Sequence, residues 1–211
     1  NFDGKTFSFM KNKSHSNIQV NKMIDLPIYY INLDRSTNRY NSFNSQIDKY
    51  DIHREKITRI SAIDGNKLDS TKIPNKINTT IKNKPNIISC TLSHIKAIQA
   101  AYDDLCEYAI IMEDDCNFEY VQYQRYKLSD IACFLGQTYN IIQLSFMCEE
   151  DTNNSLQMSS SFALSGYKDS TAAYLITRIG MKNILDAITD INTILYVSDI
   201  TIYELAKKSC H

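Results

Sequence analysis

The stretch YAIIMEDDCNF, Tyr108 to Phe118, carries an apolar run straight into three consecutive carboxylates, Glu113, Asp114 and Asp115. Like charges side by side repel, and near the end of a buried strand that repulsion is poorly screened. Core packing gives no reason for such a cluster. A divalent cation would remove the repulsion, and all-oxygen ligands favour a hard ion such as Mg²⁺ or Mn²⁺. Those ions keep places for substrate phosphates, so a metal here suggests a nucleotide or phosphorylated ligand, with the ion neutralising a departing diphosphate. Two other uses stay open on pattern alone. Asp114 and Asp115 could cap the next turn with Glu113 exposed. Aspartyl phosphotransfer is the second, but no partner lysine or phosphate-binding turn is evident.

Several elements must position these acids. LPIYYINL, Leu26 to Leu33, is short, apolar, β-branched and aromatic, and reads as a strand with Pro27 near its start. Ser36 is a suitable N-cap for a helix over Thr37 to Lys49. KITRISAIDG, Lys56 to Gly65, reads as a second strand ending in an Asp-Gly turn. Residues 66–86 are rich in Lys, Asn and Thr without a sustained period, and read as a long surface loop. Ile95, Ile98, Tyr102 and Leu105 recur at helical spacing and predict a helix over Thr91 to Leu105. Tyr108 to Met112 is the strand that feeds the acids. Tyr123 to Leu135 reads as a helix, and Tyr139 to Phe146 and Ser170 to Thr177 as strands. Met181, Ile184, Leu185 and Ile188 form another helical stripe, and a last helix starts at a Ser198 or Asp199 cap.

Such alternation predicts an α/β layered fold with a mainly parallel sheet flanked by helices. Ligands of such sheets bind at the carboxyl ends of the strands, where Asp34, Arg35 and the three acids all fall. With five glycines, none clustered, the chain has neither a P-loop nor a dinucleotide fingerprint.

Composition narrows the class. At 211 residues, 43% hydrophobic and 22% charged, the chain suits one globular domain. Residues 1–24 read as a polar, aperiodic segment, and 25–211 as the domain. Lys plus Arg number 23 against 24 Asp plus Glu, so no basic excess exists to displace counterions from a nucleic acid. The six cysteines form no CxxC pair or zinc-like spacing, and free thiols favour a reducing, cytoplasmic compartment. No apolar run approaches the ~20 residues of a membrane helix. The first residue is Asn1 rather than Met, which leaves room for an upstream leader or anchor.

Four blocks, in order, resemble glycosyltransferase family 25, the lipooligosaccharide and procollagen galactosyltransferase group. IYYINLDRSTNR (Ile28 to Arg39) is similar to its opening strand and INLDRxxxR signature. RISAIDG (Arg59 to Gly65), ISCTLSHIKAIQ (Ile88 to Gln99) and AIIMEDDCNF (Ala109 to Phe118) resemble its later blocks. STAAYLITRIGMKNIL, from Ser170, is a weaker fifth. Two positions depart from the pattern: Ser89 stands where a glycine is usual, and Cys116 replaces an apolar residue.

The resemblance implies a GT-A-like fold and a metal-dependent enzyme moving galactose or glucose from a UDP-sugar to a hydroxyl acceptor, with inversion. The acceptor would be a glycan or a hydroxylated protein. Glu113, Asp114 and Asp115 would then hold Mn²⁺ (or Mg²⁺), with Asp115 the foremost direct ligand. Asn32, Asp34, Arg35 and Arg39 would bind nucleoside or diphosphate, with helix-face ion pairs as the lesser alternative for Arg35 and Arg39. Asp64 and Gly65 fit a ribose or uracil contact, or else an ordinary turn. Ser93 and His94, placed in the first turn of a helix, suit an anionic ligand. Gln143 and Ser145 would face the sugar or acceptor. Inversion needs a base for the acceptor hydroxyl; Asp199 is the candidate, with a helix cap as its competing role. Other activities carried alongside are an inactive binding module and a Mg²⁺-dependent phosphohydrolase.

Overall fold

A computed structural model describes residues 20–73, 75–119, 121, 126–135, 138–144 and 170–207. Its centre is a five-stranded sheet in the order β2-β1-β4-β6-β5. The strands are β1 (Ile28–Asn32), β2 (Ile57–Ser61), β4 (Tyr108–Glu113), β5 (Ile141–Gln143) and β6 (Ala173–Thr177). β1 runs parallel to both β2 and β4, whereas β6 is antiparallel to β4 and to β5. The sheet is thus mainly parallel with one reversed strand, the α/β layered class expected. A separate two-stranded ribbon joins β3 (Lys76–Ile77) to β7 (Ile194–Leu195).

Side-chain alternation sorts the sheet's residues onto two covered faces. On one face, Tyr29, Ile31, Ala109, Ile111, Tyr174 and Ile176 pack with α3 (Pro85–Asp103), α5 (Arg178–Thr189) and α6 (Ser198–Lys207). On the other, Ile28, Tyr30, Ile110, Met112 and Leu175 pack with α1 (Val20–Met23), α2 (Thr37–Lys49) and α4 (Leu128–Leu135). Every residue of β1 is buried, which is why its sequence is continuously apolar rather than alternating. Phe43 of α2 stacks on Tyr30 at 4.1 Å and meets Phe118 edge-on at 5.6 Å. It is fully buried, so Phe43→Ala would cost about 3–5 kcal/mol. Val20 and Ile24 are buried in the same core, so packing reaches back across the 24/25 boundary read from polarity.

Three local expectations change. α3 begins at Pro85, not Thr91: proline fits the first helical position, where no N–H is needed. Ser93 and His94 therefore sit well inside the helix, and their N–H groups are not free first-turn donors. The 66–86 stretch is not a featureless loop. It holds two 3-10 turns (Gly65–Lys67 and Ser70–Lys72) and β3 before α3 starts. Ser36 occupies the N-cap position of α2, but its side chain makes no capping bond. The expected Tyr123 start of the α4 helix and the last two residues, 145 and 146, of the expected Tyr139 to Phe146 strand lie outside the described residues.

Candidate active site at the carboxyl edge of the sheet

β1 and β4 are in register with Ile31 opposite Glu113, so Asn32 and the acids share the same edge of the sheet. Asp114 turns inward and is buried. Its Oδ2 accepts a 2.6 Å hydrogen bond from Asn32 Nδ2, and its Oδ1 a 2.9 Å bond from Arg39. Asn32 is itself buried and spans two charges: its Oδ1 accepts from the Arg59 guanidinium at 3.0 and 2.7 Å. Arg59 continues to Asp34 at 2.8 Å, and Asp34 also accepts from Ser61 Oγ at 2.8 Å. Those two contacts, Ser61 first and Arg59 second, hold the Asp34 carboxyl below its usual range. The chain Asp34–Arg59–Asn32–Asp114–Arg39 is one network of alternating charge across the edge.

Arg35 pairs with Asp64 at 3.0 Å, and Arg39 with Asp114 and, at 3.3 Å, Asp115. Both arginines thus reach across to other elements; neither makes the helix-face ion pair considered as an alternative. Asp64 caps the 3-10 turn by accepting from the Asn66 N–H at 3.0 Å. Gly65 faces the start of α3: a Cβ there would lie 2.8 Å from Asn86 Cα and 2.9 Å from its N. Ser93 Oγ accepts from the Ile63 N–H at 2.9 Å and donates to the Ser89 carbonyl at 2.6 Å. Ser93 and Gly65 thereby fasten the 62–65 segment to α3.

The three acids are divided among different surroundings. Asp114 is spent on Asn32 and Arg39. Asp115 stays open, with its side chain 52% exposed. Burial of the remainder raises its carboxyl above the ordinary range, and the charges of Glu113 and Asp114 add to this against the pull of Arg39. Glu113 points to the opposite face of the sheet, toward α3. The His94 imidazole beside it, Nε2 to Oε1 3.4 Å, holds its carboxyl below the ordinary range despite burial. That contact falls outside hydrogen-bond geometry, so His94 Nε2 is a buried nitrogen with no hydrogen-bond partner. His94 Nδ1 lies 3.2 Å from the hydroxyl of Tyr174, and both side chains are fully buried.

Because β6 is reversed, its start rather than its end meets the acids. Thr171 Oγ1 lies 3.4 Å from Glu113 Oε1 and 2.8 Å from Ser198 Oγ, at the first residue of α6. Ser198 Oγ is 3.7 Å from Cys90 Sγ. Burial pushes the Cys90 thiol up to about 11, with Glu113, Asp199 and Asp115 adding to the effect. Asp199 is therefore within electrostatic reach of Cys90, while its Oδ1 accepts from the Ile200 N–H at 2.9 Å. Gln143, at the end of β5, donates to the Ser170 carbonyl at 3.0 Å, and Tyr203 donates to the same oxygen at 2.9 Å. Ser145 lies outside the described residues.

A family model described as Glycosyltransferase family 25 (LPS biosynthesis protein) matches residues 25–202. The chain belongs to glycosyltransferase family 25. No curated protein matches it significantly. The family match spans β1 through the start of α6, and so takes in every residue of the charge network as well as Asp199.

Membership of this glycosyltransferase family fits the site's position at the carboxyl edge of the strands. Sequence reasoning missed Arg59, Ser61, Thr171, Ser198 and Cys90 as members of the edge cluster. Cys90 lies four residues before His94 and shares its face because α3 begins at Pro85, whereas a helix read from Thr91 leaves it out. Thr171 carried no signal: its place depends on the reversal of β6. Among the described residues, no helix is long and apolar enough to cross a membrane.

Proposed function

We propose that this glycosyltransferase moves a hexose, galactose or glucose, from a UDP-sugar to a hydroxyl acceptor with inversion and with help from a bound divalent cation. The observation that carries the reading is the open Asp115 carboxylate beside Glu113, at the end of β4 and rimmed by Arg39. The donor set fits a hard cation: Asp115 offers carboxylate oxygens in partial contact with water, and Arg39 opposes only part of the charge that Glu113 and Asp114 set beside it. Asp115 would be the direct ligand and Asp114 the group behind it that fixes the turn, while Glu113, turned toward His94, adds negative charge nearby. When bound, the cation supplies positive charge against the leaving diphosphate.

The chain's own residues do the rest. Arg39, 57% exposed in its side chain, can turn a guanidinium N–H to a phosphate oxygen while keeping its bond to Asp114. Asn32 and Arg59 hold Asp34 and Asp114 in place, so the edge is organised before substrate arrives. Asp34, Arg35 and Asp64 border the same edge on the β2 side and suit the hydroxyls of a ribose. Asp199 would take the proton of the attacking acceptor hydroxyl as its oxygen bonds to the anomeric carbon and the UDP oxygen leaves. Gln143 steadies the Ser170 carbonyl beside the Thr171 hydroxyl, on the sugar side. The acceptor is a glycan or a hydroxylated protein.

The test is a screen of UDP-galactose, UDP-glucose and other nucleotide sugars for metal-dependent UDP release and transfer to a hydroxyl acceptor. One UDP-hexose should stand above the rest, and chelator should abolish its turnover. Binding of UDP with no turnover of any donor would instead make the chain a binding module.

A further inference from the structure

We propose that Cys90, His94 and Glu113 form a binding site for a borderline divalent cation, zinc above all, behind the open Asp115 carboxylate. One ligand atom from each of the three lies within 4.8 Å of the others. Zinc bound to sulfur, nitrogen and oxygen at its usual distances sets ligands roughly 3.3–3.8 Å apart, so a small inward closure completes the set. Sulfur and imidazole donors distinguish this pocket from the oxygen-only surroundings of Asp115, and they select zinc over Mg²⁺ or Mn²⁺.

The elements are built to present these atoms. Cys90 and His94 are four residues apart on α3, so both side chains leave the same face of a 19-residue helix. Glu113 comes to meet them from the end of β4. His94 Nε2 is the independent sign of a ligand, being a fully buried nitrogen with no hydrogen-bond partner that faces the carboxylate. Its other nitrogen, Nδ1, has the Tyr174 hydroxyl at 3.2 Å. Donation from Nδ1–H to that oxygen leaves the Nε2 lone pair free for a metal.

Outer contacts hold the remaining ligands in the same way. Thr171 Oγ1 stands 3.4 Å from Glu113 Oε1, Ser198 Oγ stands 3.7 Å from Cys90 Sγ, and the two hydroxyls are bonded to each other. Orienting partners of this kind are the usual second layer of a metal site. Charge also balances. A thiolate and a carboxylate with neutral imidazole offset one divalent ion, and the Cys90 thiol gives up one proton to solvent per ion bound. The bound ion would fasten α3 to β4 at the point where the candidate active site begins.

The experiment uses the full chain, stripped with chelator, dialysed and titrated with Co²⁺ alone and then Zn²⁺ alone. One Co²⁺ per chain should bring up thiolate-to-cobalt charge-transfer absorption, which Zn²⁺ then quenches. Cys90→Ser should lose that absorption, whereas Cys133→Ser and Asp115→Asn should keep it. Retention in Asp115→Asn separates this proposal from the donor-site reading, since either can fail alone. Should Cys90→Ser not fold, alkylation of the wild-type chain gives the answer by mass spectrometry. Zinc at about ten times its Kd should slow modification of Cys90 about tenfold and leave exposed Cys133 unchanged. Absence of the charge-transfer absorption, its persistence in folded Cys90→Ser, or equal alkylation of Cys90 with and without zinc would each overturn the proposal.

Discussion

Asn32 and Asp114, 82 residues apart in the chain, are joined side chain to side chain by a buried 2.6 Å hydrogen bond. The bond closes the ends of β1 and β4 against each other and passes the charge of Arg59 toward the acids. Asn32→Ala strips a donor from a buried carboxylate and an acceptor from Arg59. The expected loss is about 2–4 kcal/mol, toward the lower end because Arg39, half exposed, still reaches Asp114. Urea unfolding would show it as a lower midpoint with an unchanged slope. A double-mutant cycle with Asp114→Asn should give a coupling well above that of a surface pair.

Asp115 behaves in the opposite sense. Its folded carboxyl titrates above the ordinary range, so ionising it opposes folding. That penalty is present above the folded value and vanishes as pH falls below the unfolded one. Metal-free Asp115→Asn should therefore be as stable as wild type or slightly more so at neutral pH, by under about 1 kcal/mol given its exposure. The gain should disappear in acid. Glu113 has the reverse sign, because its folded carboxyl is held low: its contribution is present at neutral pH and lost as pH falls through the folded value. Thermal unfolding of both Asn and Gln variants across acid to neutral pH checks the two signs together.

Gly65→Ala places a methyl group within 3.0 Å of the Asn86 backbone, which cannot swing aside as a side-chain tip could. The substitution should destabilise by about 1–3 kcal/mol. Hydrogen exchange should localise the damage to the first turns of α3.

Asp199→Asn separates the base from the helix cap. Loss of a general base lowers kcat by about 10²–10⁴-fold with UDP affinity nearly unchanged. A capping role alone would lower the melting temperature and leave kcat close to wild type. Steady-state kinetics alongside UDP titration distinguishes the two.

The strands were legible because burial on both faces leaves an unbroken apolar run, as in β1. The acids were legible because charge at a strand end has no packing reason. What each acid does was not. Burial of Asp114 and exposure of Asp115 follow from the register of β1 on β4, which places Asn32 beside one acid and not the other. The start of α3 was missed because Pro85 looks the same in a loop and at the first helical position. The reversal of β6 left no mark in its composition, yet it alone brings Thr171 to Glu113. Arg35 and Arg39 show the same limit: the partners that folding offers them, Asp64, Asp114 and Asp115, lie on other elements and leave no local mark in the sequence.

The central claim is that Asp115 binds a cation that in turn holds the diphosphate. Calorimetric titration of UDP into wild type and Asp115→Asn, each with Mn²⁺ and with chelator, tests it most directly. The account predicts Mn²⁺-dependent UDP binding in wild type and its loss in Asp115→Asn, with the variant still folded. UDP binding that ignores both the metal and the substitution would contradict it.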